Sequence, residues 1–205
     1  MSNETEPEFD RVMIKGATTG PAKEWIIRTY GAEVFNRVIS GLNKDDQAVV
    51  RGDMVSVGWY PLESWSAFLM ATRREVKRLT GEEDTTFDRR LIFEGGRQTL
   101  IKVYRFVLGF FDPTTVVNKM TPIFRRIYSH GKVECIGNTK GEYILRFYDA
   151  PIEMLEEVRR LVPLGGELAL DLAGQQVTST KVTHSINNGL FSMDVKLTYV
   201  KRTSN

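Results

Sequence analysis

From Leu100 to Phe111 the chain is apolar around nearly its whole helical circumference. Ile101, Val103, Tyr104, Phe106, Val107, Leu108, Phe110 and Phe111 are broken by Lys102 and Arg105. A helix that is apolar on most faces is buried on most faces. The run falls short of the roughly 20 apolar residues that a membrane span needs. It therefore reads as the central helix of a soluble fold. Phe106, Phe110 and Phe111 read as a partner-binding surface suited to a second copy of the chain.

The segment from Trp59 to His130 is organised around that run. Composition allows one sizeable core: of 205 residues, 41% are hydrophobic and 26% charged. The net charge of +2 is far from the visibly basic balance of most nucleic-acid binders, so such a partner is not expected. The lone cysteine, Cys135, excludes an internal disulfide and a cysteine-built metal site, and it fits a reducing cytoplasm. Residues 1–10 are polar and acidic. They read as a disordered tail rather than a signal peptide, leaving 11–205 as a single domain.

Taken in order, Val12–Ile14 reads as a short strand and Gly16–Gly20 as a loop, with Pro21 opening a helix to Tyr30. Gly31 breaks it. Val34, Phe35, Val38, Ile39 and Leu42 then give a second amphipathic helix, and Asn43 starts a short third through Val50. Asp53–Val57 reads as extended. Pro61 holds Tyr60 extended and opens a long helix that Gly81 stops, with Leu62, Trp65, Phe68, Leu69, Thr72, Val76 and Leu79 as its buried stripe. Thr85, Thr86 and Asp88 are candidate caps for the next helix, which contains Gly95-Gly96. Asp112-Pro113 makes a corner, and Pro122 should kink the helix that follows.

Lys132–Gly137 and Tyr143–Tyr148 read as paired strands. A helix begins near Pro151 and is expected to break at Pro163 and Gly165-Gly166. The clearest strand signal comes last. Gln176–Ile186 and Leu190–Lys201 flank Asn187-Asn188-Gly189, a hairpin turn, and Phe191, Met193, Val195, Leu197 and Tyr199 alternate with polar residues.

That order of elements resembles an uncharacterised bacterial family best known from myxobacteria. The family is similar in turn to a superfamily of haem-NO-binding domains, 4-vinyl-reductase-type effector domains and TRAPP vesicle-tethering subunits. Trp59-Tyr60-Pro61, Gly95, Asp112-Pro113, Tyr128, Gly131 and the Gly189–Tyr199 strand carry the resemblance. It implies an α+β fold with helices packed on a small antiparallel sheet. It implies further a dimerising, non-catalytic module that binds a small hydrophobic molecule or a protein partner. The haem branch needs an axial histidine and a Tyr-x-Ser-x-Arg motif. This chain has two histidines, His130 and His184, and Tyr128-Ser129-His130 departs from the motif. No cofactor is therefore expected.

An apolar ligand pocket, if built, belongs among Trp59, Tyr60, Trp65, Phe68 and Tyr104 beside the bare backbone of Gly95-Gly96, since ligand sites are concave and mostly apolar. The same aromatics also suit an ordinary core, and the glycines suit close helix packing. Arg73, Arg74, Lys77, Arg78, Arg89 and Arg90 form a basic cluster. Arg73, Arg74 and Arg78 are its candidate partner contacts; a solvated face and a weak nucleic-acid surface are the other readings. His130 suits a helix C-terminus and His184 a strand. An enzyme using either as a general base is the alternative function.

Overall fold

Pro61 sits where a strand becomes a helix. It closes β2 (Trp59–Pro61), which pairs antiparallel with β1 (Met13–Lys15). Its φ of −57° is the value the pyrrolidine ring imposes, and α4 (Leu62–Thr80) starts at the next residue. Leu62, Trp65, Phe68, Leu69, Thr72 and Val76 face inward as the spacing predicts. Gly81, at φ +73°, ends the helix and donates its N–H to the Lys77 carbonyl. The computed structural model that shows this describes residues 9–97, 124–139 and 141–202.

The expected loop over residues 16–20 is instead the first turn of α1 (Gly16–Tyr30), so Pro21 lies inside the helix. The cause is a tertiary contact. Gly16 and Ala17 donate their N–H groups to the carbonyls of Gly58 and Ser56, which replace a side-chain cap. A Cβ on Gly16 would lie 2.1 Å from the Val55 carbonyl oxygen, so glycine is what lets helix and loop meet. Asp53–Val57, expected extended, is the irregular loop that makes this contact. Tyr60 pins it: its hydroxyl donates to the Asp53 carbonyl and accepts from the Val55 N–H.

α2 (Ala32–Ser40) follows Gly31, and α3 (Lys44–Arg51) is capped by Asn43, whose side chain accepts the Asp46 N–H at 2.8 Å. α5 (Asp84–Arg90) runs straight into a π-helical turn, Leu91–Gly96. Asp88 does not cap α5. The helix begins at Asp84, and Asp88 is buried within it.

The second half is a four-stranded antiparallel sheet in the order β3-β4-β6-β5. Its strands are β3 (Lys132–Thr139), β4 (Glu142–Pro151), β5 (Gln175–Asn187) and β6 (Leu190–Lys201). Asn188 and Gly189 both take positive φ, 50° and 75°, as a tight hairpin turn with the right twist demands. Phe191, Met193, Val195 and Leu197 point into the core from β6. α6 (Leu155–Leu172) runs unbroken through Pro163, where a break was expected. Packing holds it: Gly166 lies so close to β6 that a Cβ there would sit 2.8 Å from a Leu197 methyl.

One buried cluster joins both halves. Trp25, Trp65, Phe68 and Phe87 fill the helical side, and Tyr143, Phe147 and Phe191 fill the sheet side. Phe124, from a helical turn at 124–127, meets the Phe147 ring edge-on with centroids 4.9 Å apart. The Leu100–Phe111 helix, the Asp112-Pro113 corner and Pro122 lie outside the described residues. So do Tyr104, Phe106, Phe110 and Phe111.

Candidate functional site

α4, α5 and α6 converge on a pocket of about 190 Å³. α4 supplies Ser66, Met70, Arg73 and Arg74, which share one helical face at spacings of four, three and one. α5 contributes Asp84, and α6 contributes Glu156, Glu157 and Arg160. Asp88, one turn after Asp84, lies behind this wall and holds it together.

Arg73 donates through Nε to Asp88 Oδ1 at 2.6 Å, and both side chains are 4% exposed. Arg160 reaches the other Asp88 oxygen at 3.5 Å, and it lies within 4 Å of Asp84 and Glu156. A buried ion pair is costly to desolvate and is held by its additional hydrogen bonds. Here those bonds are incomplete. Arg73 Nη2, Glu157 Oε1 and Ser66 Oγ are buried with no partner in the protein. Native interiors satisfy most such atoms, and an orphan calls for a ligand, a water or a function.

Glu157 is 3% exposed. Burial pushes its carboxyl up to about 7, Arg73 and Arg160 pull it down, and Asp88 pushes it up again. Tyr128, buried nearby, is also raised, first by burial and then by the Glu157 charge. The pocket wall thus holds a guanidinium paired through Nε but not through Nη2, and a carboxyl raised to about 7; a perturbed titratable group in a cleft is a feature of binding sites.

Of the residues expected to bind a ligand, Tyr104 lies outside the described residues, and the others do not line this pocket. Trp65 and Phe68 are fully buried with ring centroids 5.4 Å apart, and Phe68 also meets Phe35. Trp59 packs on Phe9 and carries the Lys15 ammonium over its ring, while Tyr60 pins the 53–57 loop. A Cβ on Gly95 would lie 3.1 Å from Trp25 Cγ, so Gly95 permits close helix packing, whereas Gly96 has no such neighbour within 4 Å.

Of the basic cluster, Arg73 was expected on a partner-facing surface and is instead buried, because its pair with Asp88 draws it inward. Arg74 is exposed at the pocket wall. Arg78 binds Glu75, Lys77 binds Glu83, Arg89 binds Glu167, and Arg90 binds Glu82 and Glu94.

His130 lies in the bend three residues beyond the helical turn at 124–127. Its Nδ1 lies 2.8 Å from Ser129 Oγ, which accepts the Met13 N–H. His184 is exposed on β5, an edge strand of the sheet. Among the described residues, no group of three or more His, Cys, Asp or Glu side chains is placed to hold a metal ion. No described helix is long and apolar enough to cross a membrane.

No family model matches the chain, and no curated protein matches it. Solved structures do. An Fe(II) unliganded H-NOX protein from K. algicida is 9% identical over 94% of this chain and 100% of its own, with a TM-score of 0.67. An oxygen-binding H-NOX domain related to soluble guanylate cyclases is 9% identical over the same shares, with a TM-score of 0.65. A third H-NOX structure, solved for the mechanism of H-NOX activation, gives 0.66 at 9% identity, again over 94% of this chain and all of its own. Haem is the group this likeness implies; of the chain's two histidines, His184 is exposed on the edge strand β5, and His130 contacts Ser129 Oγ through Nδ1, and neither lines the pocket described above. The chain has an α+β fold of the H-NOX type.

Proposed function

We propose that this protein is a non-catalytic binding module, a sensory or scaffold domain that uses an H-NOX-like fold without haem. It binds a small molecule and passes the bound state to a protein partner. In this reading residues 11–205 form one domain, cytoplasmic and dimeric, with Phe106, Phe110 and Phe111 at the dimer contact. The chain falls in the uncharacterised family, best known from myxobacteria, that its order of elements resembles. The observation that carries the reading is the α4–α5–α6 pocket, with Arg73 and Glu157 both buried and both short of a partner. The solved neighbours support it through their shared fold, one of them described as an oxygen-binding H-NOX domain.

Native mass spectrometry of freshly purified protein, run beside an absorption spectrum after expression with ample haem, tests this. A dimer mass or a bound small molecule is expected, with no Soret band. A clean apo monomer, or stoichiometric haem whose spectrum changes in His130→Ala, overturns it.

A further inference from the structure

The two edges of the four-stranded sheet are finished differently. β3 is the shorter, carries Lys132 and Glu134, and is interrupted by a bulge between Cys135 and Gly137. Charges and bulges keep edge strands from pairing with other chains. β5 is guarded only in its first half, by a bulge after Val177 and by Lys181. From Val182 to Asn187 its register is regular, with no proline and no acidic or lysine side chain. Residues 183–187 are all exposed.

The ladder decides which groups of β5 look outward. Tyr199 donates its N–H to the Gly141 carbonyl, on the β4 side of β6. Where the registers shift, the extra residue lies in β4 or β5 and not in β6. The odd-numbered residues of β6 therefore face β4, and the even-numbered ones face β5. Leu190, Ser192 and Asp194 thus bond Asn187, Ser185 and Thr183. The N–H and C=O groups of Val182, His184 and Ile186 point to the open edge. Among the described residues they have no hydrogen-bond partner. These three lie opposite the buried Val195, Met193 and Phe191, so their side chains share the apolar face of the sheet. Ile186 is nonetheless 55% exposed.

We propose that the far half of β5 pairs with the same strand of a second copy of this chain, antiparallel across a two-fold axis at His184. The proposal rests on the dimeric reading above and places a self-contact on the sheet, apart from Phe106, Phe110 and Phe111. In that register Val182 pairs with the partner's Ile186, and His184 with the partner's His184. Each such pair exchanges two main-chain bonds, about six in all. Apolar meets apolar twice on the inner face, and Thr183 stands beside the partner's Ser185 twice on the outer one. Lys181 falls beside the partner's Asn187, so no two lysines meet. A register one residue lower would press Ile186 onto Thr180, whose hydroxyl is bound to Glu167. The fit of the strand to its own reverse is what favours a second copy over another protein. Six residues span about 20 Å, which is short for an interface, so the pairing is weak.

Sedimentation of the full chain from about 1 to about 500 µM tests this. The mass rises with concentration, and His184→Pro and Ile186→Lys each weaken that association about tenfold or more. Proline at 184 removes an N–H that points outward, so the β5–β6 ladder is untouched, and circular dichroism verifies that both variants fold. The register is read by cross-linking in a Cys135→Ser background. An oxidised mixture of Thr183→Cys and Ser185→Cys chains forms disulfide-linked dimers, and neither chain does so alone. A mixture that does not link, or Thr183→Cys chains that link to themselves, overturns the pairing. Association that survives both edge variants and is lost in Phe110→Ser overturns it and leaves the dimeric reading standing. A monomer at every concentration overturns both.

Discussion

Two polar clusters meet in α5, one through Asp88 and the other through Arg90, and behave in opposite ways. Around the π-helical turn, Tyr30 donates to Glu82, Trp25 donates to Glu94, and Arg90 bridges both acids while lying over the Trp25 and Tyr30 rings. Each of those donors finds an acceptor, and Gly95 brings its helix down onto Trp25. Around Asp88, by contrast, a buried guanidinium and a buried carboxyl each keep an atom unpaired. Proteins stabilise themselves with the first kind of network and carry the second kind where something else is meant to complete it. Aromatic residues and glycines thus mark a strut in this molecule, and an unfinished ion-pair network marks the pocket on which the proposed function rests.

The comparison sharpens under mutation. Arg73→Met gives the largest effect, because it leaves Asp88 buried beside a single distant cation. Urea unfolding should show a loss of about 3 kcal/mol, the low end for a broken buried pair, since Arg160 remains 3.5 Å away. The double change Arg73→Met with Asp88→Asn should recover part of it. An unchanged midpoint in the single variant would mean that the pair is not truly dry.

Glu157→Gln comes next and runs the other way. The Glu157 carboxyl titrates at about 7 in the fold against an ordinary value of 4.5. Below the lower value, folded and unfolded chains both hold the proton. Between the two values the fold holds it and the unfolded chain does not, so stability drops as pH rises through that window, by on the order of 3 kcal/mol, and levels off above it. Glu157→Gln should flatten that slope and raise stability near neutral pH. A wild-type profile already flat across the window would remove the idea that burial controls this group.

Gly95→Ala, in the satisfied cluster, has the smallest effect. Its methyl meets Trp25, which is 2% exposed and tied to Glu94, so it cannot retreat. A loss of about 1 kcal/mol is expected in thermal unfolding despite alanine's better helix propensity. A gain in stability would show that this strut is looser than its hydrogen bonds suggest.

Much of the fold was legible because its signals are local. Pro61 and Gly81 bracket α4, Asn43 caps α3, and Asn188-Gly189 turns the last hairpin, each through its own backbone preference. The misplaced boundaries have a shared cause. α1 begins at Gly16 because carbonyls from the 53–58 loop cap it, and α6 passes Pro163 because Gly166 seats it on Leu197. Neither partner is near in sequence. The site was half visible. Arg73 falls between Leu69 and Val76 on the buried stripe of α4, and Glu157 falls beside the buried Val158 of α6, three residues after the buried Met154 that precedes the helix. A charged residue in a buried stripe was the available signal. Reading Arg73 by its charge, among neighbouring arginines, hid it.

The sequence by itself determined the alternation, the turns and the helical stripes, because those follow from each residue's own φ, ψ and side-chain direction. Tertiary structure decided that residues 66, 73, 88 and 157 meet. It also decided which of their atoms go unpaired, because dehydration and pairing depend on what three separate helices bring to one place.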